Sequence, residues 1–133
     1  MAVISSETLP VVSEADIVTV RRYVRESATK LGFSLVDQTK VVTAASELAR
    51  NTLIHGRGGH MELALLNGPR AGIRLVFEDK GPGIPNVDLA LRDGFTTGSG
   101  LGLGLGGAKR LVNEFDVQSR VGEGTKVTAV RWK

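Results

Sequence analysis

The sequence predicts an α+β domain, a two-layer sandwich in which helices cover one face of a mixed, mostly antiparallel sheet. Two segments with helical spacing stand together near the start, and most strand-like segments follow one another through short turns. A length of 133 residues with 41% hydrophobic and 23% charged residues suits one globular core. We therefore expect a single domain over residues 1–133.

The first half of the chain begins with a strand and continues with two helices. Residues 2–12 mix β-branched residues with a proline, which suits a strand at the edge of a sheet. Ser13 and Ser34 each precede a run with helical spacing, and a glycine follows each run. These signals predict helices over residues 13–30 and 34–56.

The second half of the chain contains strand-like segments and two shorter helical ones. Asn67-Gly68-Pro69 is a turn sequence between two apolar segments, and Gly122-Glu123-Gly124 joins the last two. The predicted elements are strands over residues 61–66, 73–78, 115–121 and 125–132, and a helical segment over 87–92. A third helix is expected to begin within the glycine-rich stretch of residues 98–107, with residues 108–113 as its body.

Composition and charge exclude several classes of protein. The absence of Cys excludes a disulfide scaffold and a thiol nucleophile, and two His residues argue against a histidine zinc site. The net charge of +3 is small, and its acidic and basic residues are interspersed, which does not indicate a nucleic-acid binder. Neither a signal peptide nor a long apolar run is present. We expect a cytoplasmic protein without a membrane or nucleic-acid partner.

A first candidate motif lies on the second predicted helix, where Glu47, Asn51 and His55 are four residues apart. Residues with this spacing lie nearly above one another on an α-helix and form a polar stripe. A carboxylate one turn from a carboxamide places a proton acceptor beside an oxygen ligand for Mg²⁺. A solvated helix face explains the same pattern, and the motif taken alone favours that explanation.

A second candidate motif follows an apolar strand, where Asp79 precedes Lys80-Gly81-Pro82-Gly83. The aspartate is a hydrogen-bond acceptor at a place where the glycines let the backbone turn sharply and come close to another group. The amino group of adenine is a suitable donor for such a carboxylate. The alternative is a tight turn with a helix cap.

A third candidate motif is a glycine-rich stretch, since more than half of the 17 glycines lie between Gly81 and Gly107. Five glycines alternate with other residues from Gly98 to Gly106 and lead into a helix. Unpaired amides at a helix start, beside glycines that permit close approach, suit phosphate groups. The stretch differs from the Gly-x4-Gly-Lys-Ser/Thr loop and does not follow a parallel strand. A flexible loop is the alternative.

These motifs occur in the order of the N, G1 and G2 boxes of the Bergerat-fold GHKL superfamily, which nearly the whole chain resembles. The stretch from Asp93 to Phe115, with Gly122 to Thr125, resembles the RsbT-type switch kinases. The resemblance implies a serine/threonine protein kinase that uses ATP and Mg²⁺ in a bacterial stress response governed by partner switching. It implies two partners: a STAS-domain antagonist, which is the substrate, and a PP2C-type phosphatase, which the kinase activates. A stressosome-like complex is a further expectation from the same resemblance.

The same resemblance implies a role for each matching residue. Glu47 would be the catalytic base, and Asn51 would be the Mg²⁺ ligand. Asp79, helped by Thr125, would hold the adenine amino group. The residues that would bind ATP are Asn51, Asp79, Gly81, Gly83, Thr97, Gly98, Ser99, Gly100, Leu101, Gly102, Leu103, Gly104 and Thr125, of which Thr97 to Gly104 would cover the phosphates.

One departure separates the chain from the anti-sigma-factor kinases, which it also resembles. Those kinases often carry a basic residue just before the lid glycines, where this chain has Thr96, Thr97 and Gly98. Phosphoryl transfer requires positive charge around the moving group, and Lys109, Arg110 or the partner could supply it. Exposed cations on a helix explain the two basic residues equally well. The departure favours the RsbT-type interpretation.

Three other functions stay open at this point. A direct anti-sigma-factor kinase would share every motif. A nucleotide-gated binding module without catalysis would need Asp79 and the glycines but not Glu47. The catalytic tail of a sensor histidine kinase would require a helical domain upstream, carrying a phospho-accepting histidine.

Overall fold

The computed structural model describes residues 2–91 and 104–133, which form one sheet with helices packed on one of its faces. The strands pair in the order β1-β2-β3-β5-β4, and every pairing among the described strands is antiparallel. The predicted α+β sandwich is therefore confirmed. In chain order the elements are β1 (Ala2–Val11), α1 (Glu14–Lys30), α2 (Leu35–Arg50), a π turn (Asn51–His55), β2 (Gly59–Asn67), β3 (Gly72–Asp79), α3 (Val87–Ala90), α4 (Leu105–Arg110), β4 (Glu114–Arg120) and β5 (Gly124–Trp132).

The two long helices, α1 and α2, begin at serine caps. The Ser13 hydroxyl accepts a hydrogen bond from the Asp16 N–H at 3.2 Å, and the Ser34 hydroxyl accepts one from Asp37 at 3.1 Å. Each cap satisfies one of the donors that a helix start leaves free.

Neither these helices nor any other in the described ranges is long and apolar enough to cross a membrane.

The core lies between the helices and the inner face of the sheet. Along β2, β3 and β5, alternate residues point inward and are buried, as the two-residue period of a strand requires. Small residues on α2 allow its backbone to approach α1 and the sheet closely. The buried side chains that meet here include Val20, Val24, Ala44, Ala45, Leu48, Leu63, Leu75, Phe77 and Val127.

The last turn of the second helical run is a π turn, which the sequence did not predict. The Gly56 N–H donates to the Asn51 carbonyl oxygen at 3.0 Å, five residues back along the chain. A π turn holds one more residue than an α turn, so side chains beyond it are rotated about the helix axis. His55 therefore has a different angle about the helix axis from the one that a continuous α-helix would give it.

The predicted strands and the first helix are confirmed within about two residues at each end, a normal uncertainty for such boundaries. The third predicted helix, expected to begin within the glycine-rich stretch and to continue through residues 108–113, begins as expected but ends earlier, since α4 stops at Arg110. The reason is that Asn113, directly before β4, is hydrogen-bonded to β5: its N–H donates to the Val130 carbonyl oxygen at 2.8 Å, and its side chain accepts the Trp132 N–H at 2.7 Å. The short helix α3 ends at Ala90, and Arg92 lies outside the described residues.

Candidate active site

Asp79 ends β3 with its side chain buried, at 7% relative exposure. Its carboxylate accepts the Gly81 N–H at 2.9 Å, and Thr125 lies opposite it on β5. Burial raises the pKa of Asp79 above its ordinary value, while backbone hydrogen bonds from Gly81 and Thr125 and the nearby His55 partly oppose that rise. The site therefore holds a desolvated acceptor in a fixed orientation.

Three glycines enclose Asp79 so tightly that a side chain at any of them would strike backbone or the carboxylate. A Cβ added to Gly56 would overlap the Asp79 carboxylate, and one added to Gly124 would overlap its carbonyl oxygen. A Cβ on Gly81 would lie 2.6 Å from the Gly56 carbonyl oxygen. Glycine at these positions thus leaves space for the carboxylate and for close approach of a ligand to the backbone.

The loop that follows Asp79 is tied to the π turn and to β4. The His55 Nε2 lies 3.4 Å from the Gly83 carbonyl oxygen. Gly83 has φ +79°, and an added Cβ would overlap the Arg120 carbonyl oxygen, so both the backbone angle and the space require glycine. The last residue of the π turn, His55, thus contacts the loop that follows Asp79.

Glu47 and Gly104 meet at a second part of the site. Glu47 is exposed on α2, and a Cβ added to Gly104 would lie 2.8 Å from its Oε2. Gly104 caps the N-terminus of α4 with φ +72°. Asn51, one turn beyond Glu47, is buried at 6% relative exposure. The Glu47 carboxylate therefore lies close to the start of α4, and the Asn51 carboxamide follows one turn later on the same helical run.

The chemistry of these donors fits a nucleotide with its metal ion better than a metal bound by the protein alone. In the described ranges no three His, Cys, Asp or Glu side chains cluster closely enough to hold a metal. Mg²⁺ usually takes one or two protein oxygens and completes its shell with phosphate and water. The Asn51 carboxamide is a suitable single protein ligand.

A hydroxyl network behind Asp79 was missed by the sequence interpretation. The Ser119 Oγ accepts the Ile84 N–H at 2.8 Å, donates to the Gly124 carbonyl oxygen at 3.1 Å, and lies 2.8 Å from the Thr125 Oγ1. The sequence did contain a signal for it. Phe115, Val117 and Ser119 alternate along β4 and face inward, and Ser119 is polar where the other two are apolar. A polar side chain at an inward strand position is a candidate for a specific hydrogen-bond role.

A cavity of about 600 Å³ opens at this end of the sheet. Asp79, Ser119 and Thr125 line it together with Val87 of α3 and Val117 of β4. This volume lies within the range of small-molecule sites. The end of β3 therefore offers room for a ligand beside the carboxylate.

The structure brings the candidate residues from the sequence together in two groups. Asp79, Gly81, Gly83 and Thr125 surround the end of β3, and Glu47 with Asn51 lies on α2 and the π turn beside Gly104. Lys109 and Arg110 lie in the last turn of α4, at the end away from Gly104. The remaining candidates lie outside the described residues: Thr97, Gly98, Ser99, Gly100, Leu101, Gly102 and Leu103.

Comparison with known proteins gives one family match and several curated relatives. The family model "Histidine kinase-, DNA gyrase B-, and HSP90-like ATPase" matches residues 36–133. The serine/threonine-protein kinase RsbT of Bacillus subtilis is 42% identical over 123 residues, which cover 92% of this chain and 92% of the relative. The anti-sigma F factor of Priestia megaterium is 31% identical over 104 residues, which cover 73% of this chain and 71% of the relative.

Solved structures share the fold. The RsbU and RsbW domains of a Mycobacterium tuberculosis protein match with a TM-score of 0.66 at 23% identity, and the match covers 96% of this chain and 32% of that one. The catalytic domain of the histidine kinase ThkA matches with a TM-score of 0.58 at 17% identity, over 100% of this chain and 97% of that one. At these identities the likeness concerns the fold alone.

Proposed function

Because the chain belongs to the family of histidine kinase-, DNA gyrase B- and HSP90-like ATPases, and within it to the RsbT-type serine/threonine-protein kinases, we propose that it phosphorylates a regulatory partner protein. The substrate class that we propose is a STAS-domain antagonist, and the second partner is a PP2C-type phosphatase that the kinase binds and activates. A stressosome-like complex is a further proposed partner. The proposed location is the cytoplasm, and the proposed ATPase domain comprises residues 1–133.

The observation that supports this function most strongly is the enclosure of Asp79. A buried carboxylate that already accepts the Gly81 N–H and is surrounded by glycines is suited to accept a hydrogen bond from the amino group of adenine. Burial raises the pKa of this carboxylate, which means that its ionised form is destabilised in the folded protein. A turn with a purely structural role would not require an ionisable group at this position. Binding of a ligand donor would offset that destabilisation.

The proposed chemistry is transfer of the terminal phosphoryl group to a serine or threonine hydroxyl. Glu47 accepts or orients the hydroxyl proton while the new P–O bond forms to the partner, the bond to the bridging oxygen breaks, and ADP leaves. Mg²⁺ supplies positive charge to the phosphates when it is bound, and Asn51 would hold it. The exposure of Glu47 on α2 leaves it accessible to a protein substrate.

The test of the proposed function is a labelling experiment. Purified protein is incubated with Mg²⁺, ATP labelled in its terminal phosphate, and the STAS-domain protein of the same organism. We expect acid-stable label on serine or threonine of the STAS-domain protein. If the chain binds ATP but transfers label to no STAS-domain protein, the nucleotide-gated binding module replaces the kinase.

A second candidate function is a direct anti-sigma-factor kinase, which the 31% identity to an anti-sigma F factor supports. That function requires a stable complex with a sigma factor. Size-exclusion chromatography of the chain with the sigma factors of its organism, with and without ATP, separates the two candidates. Co-elution with a sigma factor would favour the second candidate, and co-elution with a PP2C-type phosphatase the first.

The raised pKa of Asp79 predicts a pH dependence of base recognition. Protonation removes the charge that attracts an amino donor, so the affinity for ATP falls as the pH falls through the raised pKa. GTP carries the same triphosphate, so the ratio of the GTP to the ATP dissociation constant cancels the titration of the phosphates. We expect this ratio to decline as the pH falls, and to do so at a higher pH than protonation of an ordinary aspartate would give. A ratio that stays constant throughout the range in which carboxyl groups titrate would contradict the assignment of Asp79.

A further inference from the structure

The Ser119 hydroxyl contacts three polar groups around the site but has only one proton to donate. A carbonyl oxygen can only accept, so the contact with the Gly124 carbonyl oxygen at 3.1 Å uses the Ser119 proton. The Ile84 N–H at 2.8 Å is a donor to Ser119. The contact with the Thr125 Oγ1 at 2.8 Å therefore requires Thr125 to donate.

This arrangement determines what the Thr125 hydroxyl can offer to a ligand. Its proton is used by Ser119, so only oxygen lone pairs remain. Thr125 is 4% exposed, lies opposite Asp79 on the neighbouring strand, and lines the same cavity. The carboxylate and the hydroxyl are then two acceptors side by side, with no donor from Thr125 between them.

We propose that Ser119 is a positioning residue that selects 6-amino over 6-oxo purines by holding the Thr125 hydroxyl as an acceptor. Two adjacent acceptors match the amino group of adenine, which has two N–H donors. They repel the carbonyl oxygen that occupies the same position in hypoxanthine and guanine. The inference rests on the proposed nucleotide site and adds the residue that sets its base preference.

The experiment measures the binding of ATP and inosine triphosphate by calorimetry, because these nucleotides differ only at the purine 6-position and its adjacent ring nitrogen. In Ser119→Ala the Thr125 proton is released and can turn toward a 6-oxo group. We expect the ratio of the inosine triphosphate to the ATP dissociation constant to fall about tenfold, which is the size of one neutral hydrogen bond. Ser119→Thr keeps a hydroxyl and should restore the ratio.

Thr125→Val provides a second variant that acts on the same contact. It should lower the ratio as well. The double variant Ser119→Ala/Thr125→Val should lower the ratio no further than Thr125→Val alone, since the two residues act through one hydrogen bond. Ser6→Ala, at an exposed position of β1 that does not line this cavity, is the matched control and should leave the ratio unchanged.

The outcomes separate this inference from the proposed function. If the unmodified chain binds neither nucleotide, the proposed function fails and this inference fails with it. If the chain prefers ATP and Ser119→Ala keeps the full preference, only the role of Ser119 is overturned. Equal weakening of both nucleotides in Ser119→Ala, without restoration by Ser119→Thr, would likewise overturn it, because a loss of general stability affects the two equally.

Discussion

Replacement of Glu47 by Gln is expected to lower the rate of phosphoryl transfer by about 10²- to 10⁴-fold, the usual contribution of a general base. Gln has nearly the shape of Glu, so the contact between residue 47 and Gly104 is retained. ATP should bind as before, because Gln removes the proton acceptor without changing the size of the side chain. The measurement is the initial rate of label transfer to the STAS-domain protein.

The matched control for this variant is Glu26→Gln. Glu26 is also exposed on a helix and makes only a weak ion pair with Arg22, at 3.9 Å. We expect the control to transfer label at the rate of the unmodified protein. Transfer at that same rate by Glu47→Gln would show that this carboxylate is not the base, and loss of ATP binding would show that it has a structural role instead.

Replacement of Gly56 by Ala is expected to weaken ATP binding by about 10- to 100-fold, the cost of displacing one buried, hydrogen-bonded charge. The backbone angles of Gly56, φ −82° and ψ −6°, are ordinary for alanine, so the backbone does not oppose the change. The obstacle is the added methyl group, which would overlap the Asp79 carboxylate. The carboxylate must move, and it then loses its orientation toward the base.

Gly107→Ala is the matched control for Gly56→Ala. Gly107 lies within α4, and an added Cβ would meet no atom of the described residues within 4 Å. Alanine there should leave ATP binding unchanged and raise the free energy of unfolding by about 0.5–1 kcal/mol, because glycine weakens a helix. Equal ATP affinity in the two variants, measured by calorimetry, would contradict the steric account of Gly56.

Local signals explain why much of the fold could be predicted from the sequence. Ser13 and Ser34 cap helices at the predicted positions, and β3 and β5 lie where apolar segments bounded by turn residues predict strands. The positions of Asp79 at a strand end and of Glu47 on a helix follow from the same patterns. These features depend on neighbours within a few residues, which a sequence displays directly.

The features that could not be predicted depend on contacts between distant segments. The end of α4 is decided by Asn113, whose hydrogen bonds reach Trp132 and its neighbourhood on β5, up to 19 residues further along the chain. The π turn follows a run whose spacing is equally compatible with an α-helix, so nothing local marks the extra residue. Gly56 was interpreted as a helix end, and its closeness to Asp79 depends on how β3 passes beneath the turn.

The central claim is that the Asp79 enclosure binds the adenine of ATP, and calorimetric titration of the Asp79→Asn variant with Mg²⁺ and ATP tests it most directly. The carboxamide keeps the volume of the carboxylate but turns an N–H group either toward the Gly81 donor or toward the adenine amino group. We predict one ATP site in the unmodified chain and a loss of affinity of about 100-fold or more in the variant. Equal affinity in both proteins would contradict the claim.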